Sequence, residues 1–349
     1  MSLFSSQQPP ESLCILRLSA IGDVCNVLAV VQQIQRYWPQ TEITWIIGKV
    51  EYQLLQHVNG INFVIYDKKS GWKGIWNLWK SLKRKKFDAL LNMQTAIRAS
   101  ILSLGIKAKY KIGFGKKRSR EWQSLFVNQQ ISDPEQLHVL DGFIEFAKFL
   151  GVPVNNLSWD LATQEADKEK MKVYLNPKCK NLLISPCSSK AEKDWLPERY
   201  AEIANLAHQQ QINVIFCGSP SSREMKTVQQ IIDSCNFIPK NACGKTTLQE
   251  LTALISLVDL VIAPDSGPLH IANAQKTTVI GLYAYHNPLR TGAYCQLQNI
   301  ISVYEQNVIK EFNKPSIELP WATKLKGKNL MAQIQTQDVI YKMKQIGFL

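Results

Sequence analysis

The stretch LVIAPDSGPLHIANA, residues 260–274, holds the residue types needed to grip an anion. An apolar run ends at Pro264, Asp265-Ser266-Gly267 makes the turn, and a helix starts near Pro268, where proline costs nothing. A helix start of this kind offers unpaired N–H groups and the positive end of the helix dipole, which suits a pyrophosphate. Gly267 allows close approach, Ser266 offers a hydroxyl, and His270 lies one turn into the helix on the same side. Spacing alone leaves a second reading open, in which Asp265 or Ser266 simply caps the helix.

Upstream, SPCSSKAEKDWLPERY (185–200) places Lys190 and Lys193 in a loop after an apolar strand. Open α/β sheets bind ligands at that end of their strands. A lysine there can neutralise a departing diphosphate without a metal, although a loop lysine taken alone is usually just solvated. The loop CGSPSSREM brings hydroxyls and Glu224 to the next strand end, where they could hold a ribose diol. The plain alternative for Glu224 is a carboxylate favoured at a helix start.

The other half of the chain opens differently. ILRLSAIGDVCNVLAVV (15–31) reads as a buried strand, a tight loop and an apolar helix, yet the loop lacks the G-x-G-x-x-G phosphate fingerprint. It offers one glycine, Gly22, followed at once by Asp23, an acid where a phosphate would ordinarily sit.

The elements that must position these residues alternate along almost the whole chain. Strand-like runs such as EITWIIG, NFVIYD and FDALLNM are interleaved with helical patterns, one of them spanning about 96–104 and another about 133–150. This alternation predicts a parallel sheet with helices on both faces. A polar stretch from Gly151 to Lys180 separates it from a second α/β pattern that begins at NLLISP. At 349 residues the chain suits two domains of about 150 residues each. The expected division is a flexible tail at 1–12, a first Rossmann-like domain at 13–170, a second at 171–328, and a last helix at 329–349 that could pack back on the first domain.

Composition excludes several classes. Apolar residues make up 45% and charged residues 20%, ordinary for a globular protein, and no apolar run is long enough to span a membrane. The polar start MSLFSSQQPPES is not a secretory signal, so a cytoplasmic protein is expected. Eight cysteines form no C-x-x-C pair and five histidines are scattered, which favours buried reduced thiols over disulfides or a zinc site. The net charge of +13 is concentrated: from Lys68 to Arg120 there are sixteen Lys and Arg and one acid, Asp88. That segment should face something anionic. Within it Trp72, Ile75, Trp76, Trp79 and Leu82 follow helical spacing. Such a stripe more often packs against a sheet than lies in a membrane interface, and packing is the favoured reading here.

Taken in order, LRLSAIGDV, FDALLNMQTAIRASIL, KIGFG, KDWLPERYAEIA, VIFCGSP and VIAPDSGPLHIANA resemble the heptosyltransferases of lipopolysaccharide core assembly, glycosyltransferase family 9. The resemblance spans roughly residues 13–295 and is closest to the enzymes of the Haemophilus type that add the first heptose. It implies an α/β protein of the GT-B fold, with two Rossmann-like domains facing across a cleft, and an inverting, metal-independent transferase without a cofactor. ADP-heptose would be the donor and the Kdo sugar of Kdo-lipid A, with or without a phosphate, the acceptor.

Carried over by position, Asp23 matches the catalytic base, with Gly22 allowing the tight turn beside it. Lys193, Glu224, Thr246, Asp265, Ser266, Gly267 and His270 match donor-binding positions, Thr246 near the adenine. Gln94, Arg98, Arg118 and Arg120, with Gly22, fall on the acceptor side. Where relatives often read D-L-Q-G-L-x-K, this chain reads Asn92-Met93-Gln94-Thr95-Ala96-Ile97-Arg98, losing the acid and keeping a cation that could meet a carboxylate or phosphate.

The resemblance also implies a monomer peripheral on the cytoplasmic face of the inner membrane, its basic segment against the anionic leaflet and no nucleic acid bound. Two other classes remain to be weighed. One is a GT-B enzyme using another sugar nucleotide, either a transferase or an epimerase. The other is a basic nucleic-acid-binding protein, although no known module for that is present.

Overall fold

The computed structural model describes residues 2–349, which divide into two compact units, Met1–Ala162 and Thr163–Leu349. In the first unit the strands are β1 (Ser12–Leu16), β2 (Glu42–Gly48), β3 (Ile61–Tyr66), β4 (Phe87–Asn92), β5 (Ala108–Gly113) and β6 (Gln129–Gln130). The helices are α1 (Ile21–Tyr37), α2 (Lys49–Leu55), α3 (Gly71–Leu82), α4 (Ile97–Leu104) and α5 (Val139–Leu150). The sheet is wholly parallel, in the order β3-β2-β1-β4-β5-β6. In β1, Leu13 to Leu16 are fully buried, as a central parallel strand covered on both faces requires.

The second unit holds α6 (Glu165–Met171), β7 (Asn181–Ile184), α7 (Pro197–Gln209), β8 (Asn213–Phe216), α8 (Ser222–Asp233), β9 (Lys240–Asn241), α9 (Leu248–Leu257), β10 (Leu260–Pro264) and α10 (Gly267–Ala274). It continues with β11 (Thr278–Tyr283), α11 (Pro288–Thr291), β12 (Ile300–Ser302), α12 (Tyr304–Phe312) and α13 (Thr336–Gln345). Its sheet runs β12-β11-β10-β7-β8-β9, again wholly parallel. Counted within the unit, this is the same doubly wound order as in the first, so each sheet has one switch point, β1/β4 and β7/β10.

Three details differ from the sequence expectation. The units part at Ala162, not at 170, because α6 packs on α9 within the second unit. The first residues, expected as a flexible tail, are bonded to the first unit: Leu3 and Phe4 donate N–H to the carbonyls of Phe149 and Leu150, both at 3.0 Å. The last helix packs on α7, with Val339 and Met343 fully buried in the core of the second unit. Gly151 ends α5 at φ 107°, a left-handed conformation in which its N–H reaches Ala147 O at 3.1 Å. No helix among the described residues is long and apolar enough to cross a membrane.

Candidate active site

In the second unit, β10 and β7 end side by side, which sets Asp265 against the loop after β7 although the two lie far apart in sequence. Lys193 Nζ lies 2.8 Å from Asp265 Oδ2, with both side chains less than 15% exposed. His286 Nδ1, just past β11, is 2.7 Å from the same oxygen. The Tyr283 hydroxyl stands 2.7 Å from the carbonyl of Thr291 and 3.3 Å from Asp265 Oδ1. Burial alone would raise the Asp265 pKa. The hydrogen bond from His286 and the charge of Lys193 outweigh it and hold the carboxyl well below the usual carboxylate range. Tyr283, buried beside that charge, is pushed well above the ordinary tyrosine value.

Ser266 is the N-cap of α10, with extended backbone, yet its hydroxyl makes no capping bond and is buried without a hydrogen-bond partner. The capping alternative therefore does not describe how Ser266 is used. A buried hydroxyl with no partner costs free energy, and a ligand oxygen at this helix start would satisfy it. Gly267 is the first residue of α10, and His270, 9% exposed, lies one turn in.

The loop carrying Lys193 is braced from behind its own backbone. Asp194 Oδ1 accepts the Ser188 N–H at 2.6 Å, and Arg223 pairs with Asp194 and donates to the Ser188 carbonyl. Burial raises the Asp194 pKa, opposed by those bonds. Glu224, on the next strand-end loop, accepts the Ser219 N–H at 2.8 Å while Ser221 caps α8 through the Glu224 N–H. In this structure Glu224 closes its own loop. A Cβ at Gly218 would come 3.1 Å from Glu224 Oε2 and 2.8 Å from Cys243 Sγ, so any larger residue would have to displace them. Thr246 is half-buried immediately before Thr247, the N-cap of α9.

In the first unit Asp23 is the third residue of α1, where an acid meets the helix dipole favourably. Its Oδ2 is paired with the Arg17 guanidinium and also accepts the Ala20 N–H at 3.4 Å. Oδ1 makes no hydrogen bond to a described residue, and the side chain is 31% exposed. Arg17, only 12% exposed, also donates to the Met93 carbonyl at 2.6 Å and lies over the Phe143 ring. It thus ties the end of β1 to the end of β4. Gln94 does the same work through Oε1, which accepts the Leu18 N–H at 2.7 Å.

Two expectations for this unit change. Gly22 lies within the first turn of α1 and is not among the residues of positive φ, so it does not make the turn by a left-handed backbone. Arg118, expected to face an acceptor, is 4% exposed and donates to the carbonyls of His138 at 2.9 Å and Gln136 at 2.6 Å. A guanidinium so committed holds the loop before α5. Arg120 is exposed, and Arg98, exposed at the start of α4, reaches the Lys68 carbonyl at 3.4 Å.

Sequence reasoning missed Arg17, His286, Tyr283 and Arg223. The eight cysteines are unpaired, and burial pushes Cys25, Cys187 and Cys217 up to about 12, which makes them inert thiols.

The family model for glycosyltransferase family 9 (heptosyltransferase) matches residues 75–322. The chain belongs to that family. It is similar to the lipopolysaccharide core heptosyltransferase OpsX of Haemophilus influenzae, 64% identical over 347 residues and 99% of each chain. Among solved structures, it resembles the family 9 glycosyltransferase of Veillonella parvula at TM-score 0.79 and 21% identity, covering 96% of this chain and 97% of that one. It also resembles the E. coli heptosyltransferase WaaC with ADP at TM-score 0.73 and 17% identity, covering 96% and 99%. Family 9 structures have the GT-B fold, and the paired Rossmann-like units described above are that fold.

Proposed function

We propose that this chain transfers heptose from ADP-heptose to the Kdo of Kdo-lipid A, the first heptose of a lipopolysaccharide inner core. The observation that carries the reading is the 64% identity, over 99% of both chains, to a protein named as a lipopolysaccharide core heptosyltransferase. The second unit supports it with a ready anion site: Lys193, the start of α10 and the buried, unsatisfied hydroxyl of Ser266.

In this reading ADP-heptose lies on the second unit. Asp265, oriented by Lys193, His286 and Tyr283, accepts hydrogen bonds from sugar hydroxyls, while Lys193 and the α10 N–H groups balance the charge of the departing ADP. His270 and Gly267 adjoin the diphosphate, and Thr246 the adenine. Asp23 takes the proton of the acceptor hydroxyl through Oδ1, with Oδ2 held by Arg17. Direct displacement at the anomeric carbon inverts its configuration, and one base suffices because ADP leaves unprotonated. With this charge supplied by side chains and a helix dipole, the reaction proceeds without an added divalent ion. Arg98 and Arg120 are the accessible cations for an acceptor carboxylate or phosphate. The enzyme acts as a monomer in the cytoplasm, held at the anionic face of the inner membrane by the basic segment.

The test is transfer from ADP-heptose onto Kdo-lipid A, run with phosphorylated and unphosphorylated Kdo and with EDTA. Product with either acceptor, undiminished by EDTA, is expected. No product, together with thermal stabilisation by UDP or GDP in place of ADP, would move the chain to another sugar nucleotide.

A further inference from the structure

Helix α3 carries a feature that transfer chemistry does not use. Its apolar stripe is divided between two environments. Ile75, Leu78 and Leu82 are buried against the sheet. Trp79 packs so closely on Gly105 that an added Cβ there would stand 2.3 Å from the ring, and its Nε1 donates to the Leu102 carbonyl at 2.9 Å. Trp72 and Trp76, one turn apart on the same side of the helix, are 72% and 68% exposed. The packing expected of the stripe holds for its inner members and fails for these two.

The exposed pair is not isolated. Arg98 at the start of α4 reaches the Lys68 carbonyl just before α3, and the N–H of Ile97 is bonded to Glu121 Oε2 at 2.6 Å. The starts of α3 and α4 and the turn at 121–125 therefore stand along one rim of the unit. On that turn Trp122 is 73% exposed and Leu125 79% exposed. Single exposed apolar residues are ordinary, but four large ones along one rim mark a contact surface.

The charge around them says what covers it. Lys69, Lys73, Lys80, Lys83 and Arg84 are exposed on or beside α3, and Lys116 and Lys117 are exposed near the turn. The one acid of the 68–120 segment, Asp88, is turned inward to accept the Ser12 N–H. Indole rings with a lysine-rich surround match the boundary of an anionic bilayer, where tryptophan sits at headgroup level and ammonium groups meet lipid phosphates.

We propose that this rim seats the first unit on an anionic lipid surface, with Trp72, Trp76, Trp122 and Leu125 entering the headgroup boundary. The proposal rests on the peripheral membrane reading above and names the face responsible for it. It requires no change in the fold, because the four side chains are already outside the core.

The experiment uses the full chain with vesicles of phosphatidylcholine alone or mixed with phosphatidylglycerol, by flotation and by tryptophan quenching with brominated acyl chains. Wild-type protein should float with the mixed vesicles, less so at high salt, with its fluorescence quenched. The W72A/W76A double variant should bind them about tenfold more weakly or worse, since the lost term is apolar burial of two rings. W72F/W76F should retain most of the binding. ADP-induced thermal stabilisation and transfer onto a deacylated, water-soluble acceptor should be unchanged in both variants. If W72A/W76A binds vesicles as tightly as wild type, the face is wrongly assigned while the membrane reading stands. If wild type itself fails to float, or prefers an oligonucleotide to the vesicles, the membrane reading falls and the face with it.

Discussion

The two units of this protein wind their sheets in the same order and surround the acids at their switch points differently. At β7/β10 the carboxylate of Asp265 is engaged on both oxygens, with Lys193 and His286 on one and Tyr283 near the other. At β1/β4 the carboxylate of Asp23 is only half engaged: Arg17 holds one oxygen and the other makes no bond to a described residue. A carboxylate held by cations and bonded on both oxygens is a fixed charge that orients what lies beside it, whereas one with a free oxygen can still take a proton. In the proposed reading one topology serves as a donor grip or as the seat of a base, depending on which side chains close around the acid.

Substitution at each acid would break the comparison most directly. Asp23→Asn keeps the shape and should lower the transfer rate by about 10²–10⁴-fold, the usual range for a general base, with ADP affinity unchanged by calorimetry. Near-normal turnover would remove Asp23 from the chemistry. Lys193→Ala should act on the other side, cutting transfer by about 10²-fold and weakening ADP binding with it, because in the proposed reading the cation serves both the bound and the departing diphosphate. A variant that lost rate but kept full ADP affinity would show that Lys193 acts only on the sugar.

The third prediction concerns pH. The Asp265 pKa is lowered in the folded state, so its contribution to stability is present above the unfolded carboxylate value and lost as pH falls through the lower folded value. The gap in unfolding free energy between wild type and Asp265→Asn should therefore be flat above about pH 5 and narrow below about pH 4, as read by urea titration. A gap independent of pH down to 3 would mean that the carboxylate is not stabilised by its neighbours. The smallest effect is expected for Ser266→Ala. Removing a buried, unpartnered hydroxyl should leave stability unchanged or slightly raised, while ADP binding weakens by about tenfold or less. Unaltered affinity would take Ser266 out of the donor site.

Residues at strand ends were the legible part of this site. Asp265 directly follows one apolar run and Lys193 lies in the loop after another, and a parallel sheet brings such strand ends together whatever their separation in sequence. The alternation of strands and helices gave the two-unit architecture for the same reason, and the helix expected at 96–104 is α4 at Ile97–Leu104. His286 is one of five scattered histidines, and its place after YAY at the end of β11 is the signal that marks it. Arg17 was hidden inside a strand-like run, LCILRLS, where alternation marks a residue as part of a strand but not as an ion-pair partner of Asp23. Arg118 shows the converse: in a run of cations, type and spacing suggest a ligand contact, and only packing reveals that two backbone carbonyls have already claimed it. The Trp stripe was half legible, since periodicity finds a face but cannot say how much of it a neighbour covers.

The position of the last helix bears on the order in which the protein takes shape. Leu330, Met331, Ile334, Val339, Met343 and Phe348 belong to the core of the second unit, and the Trp195 indole donates to the Ile334 carbonyl at 3.0 Å. Every strand and helix of the first unit is made by residue 162, so that unit can close while the ribosome is still translating the second. The second unit cannot be finished in the same way. Its core lacks six members until residue 348 has emerged, which leaves the first unit folded while the second still waits for a keystone among the later residues made.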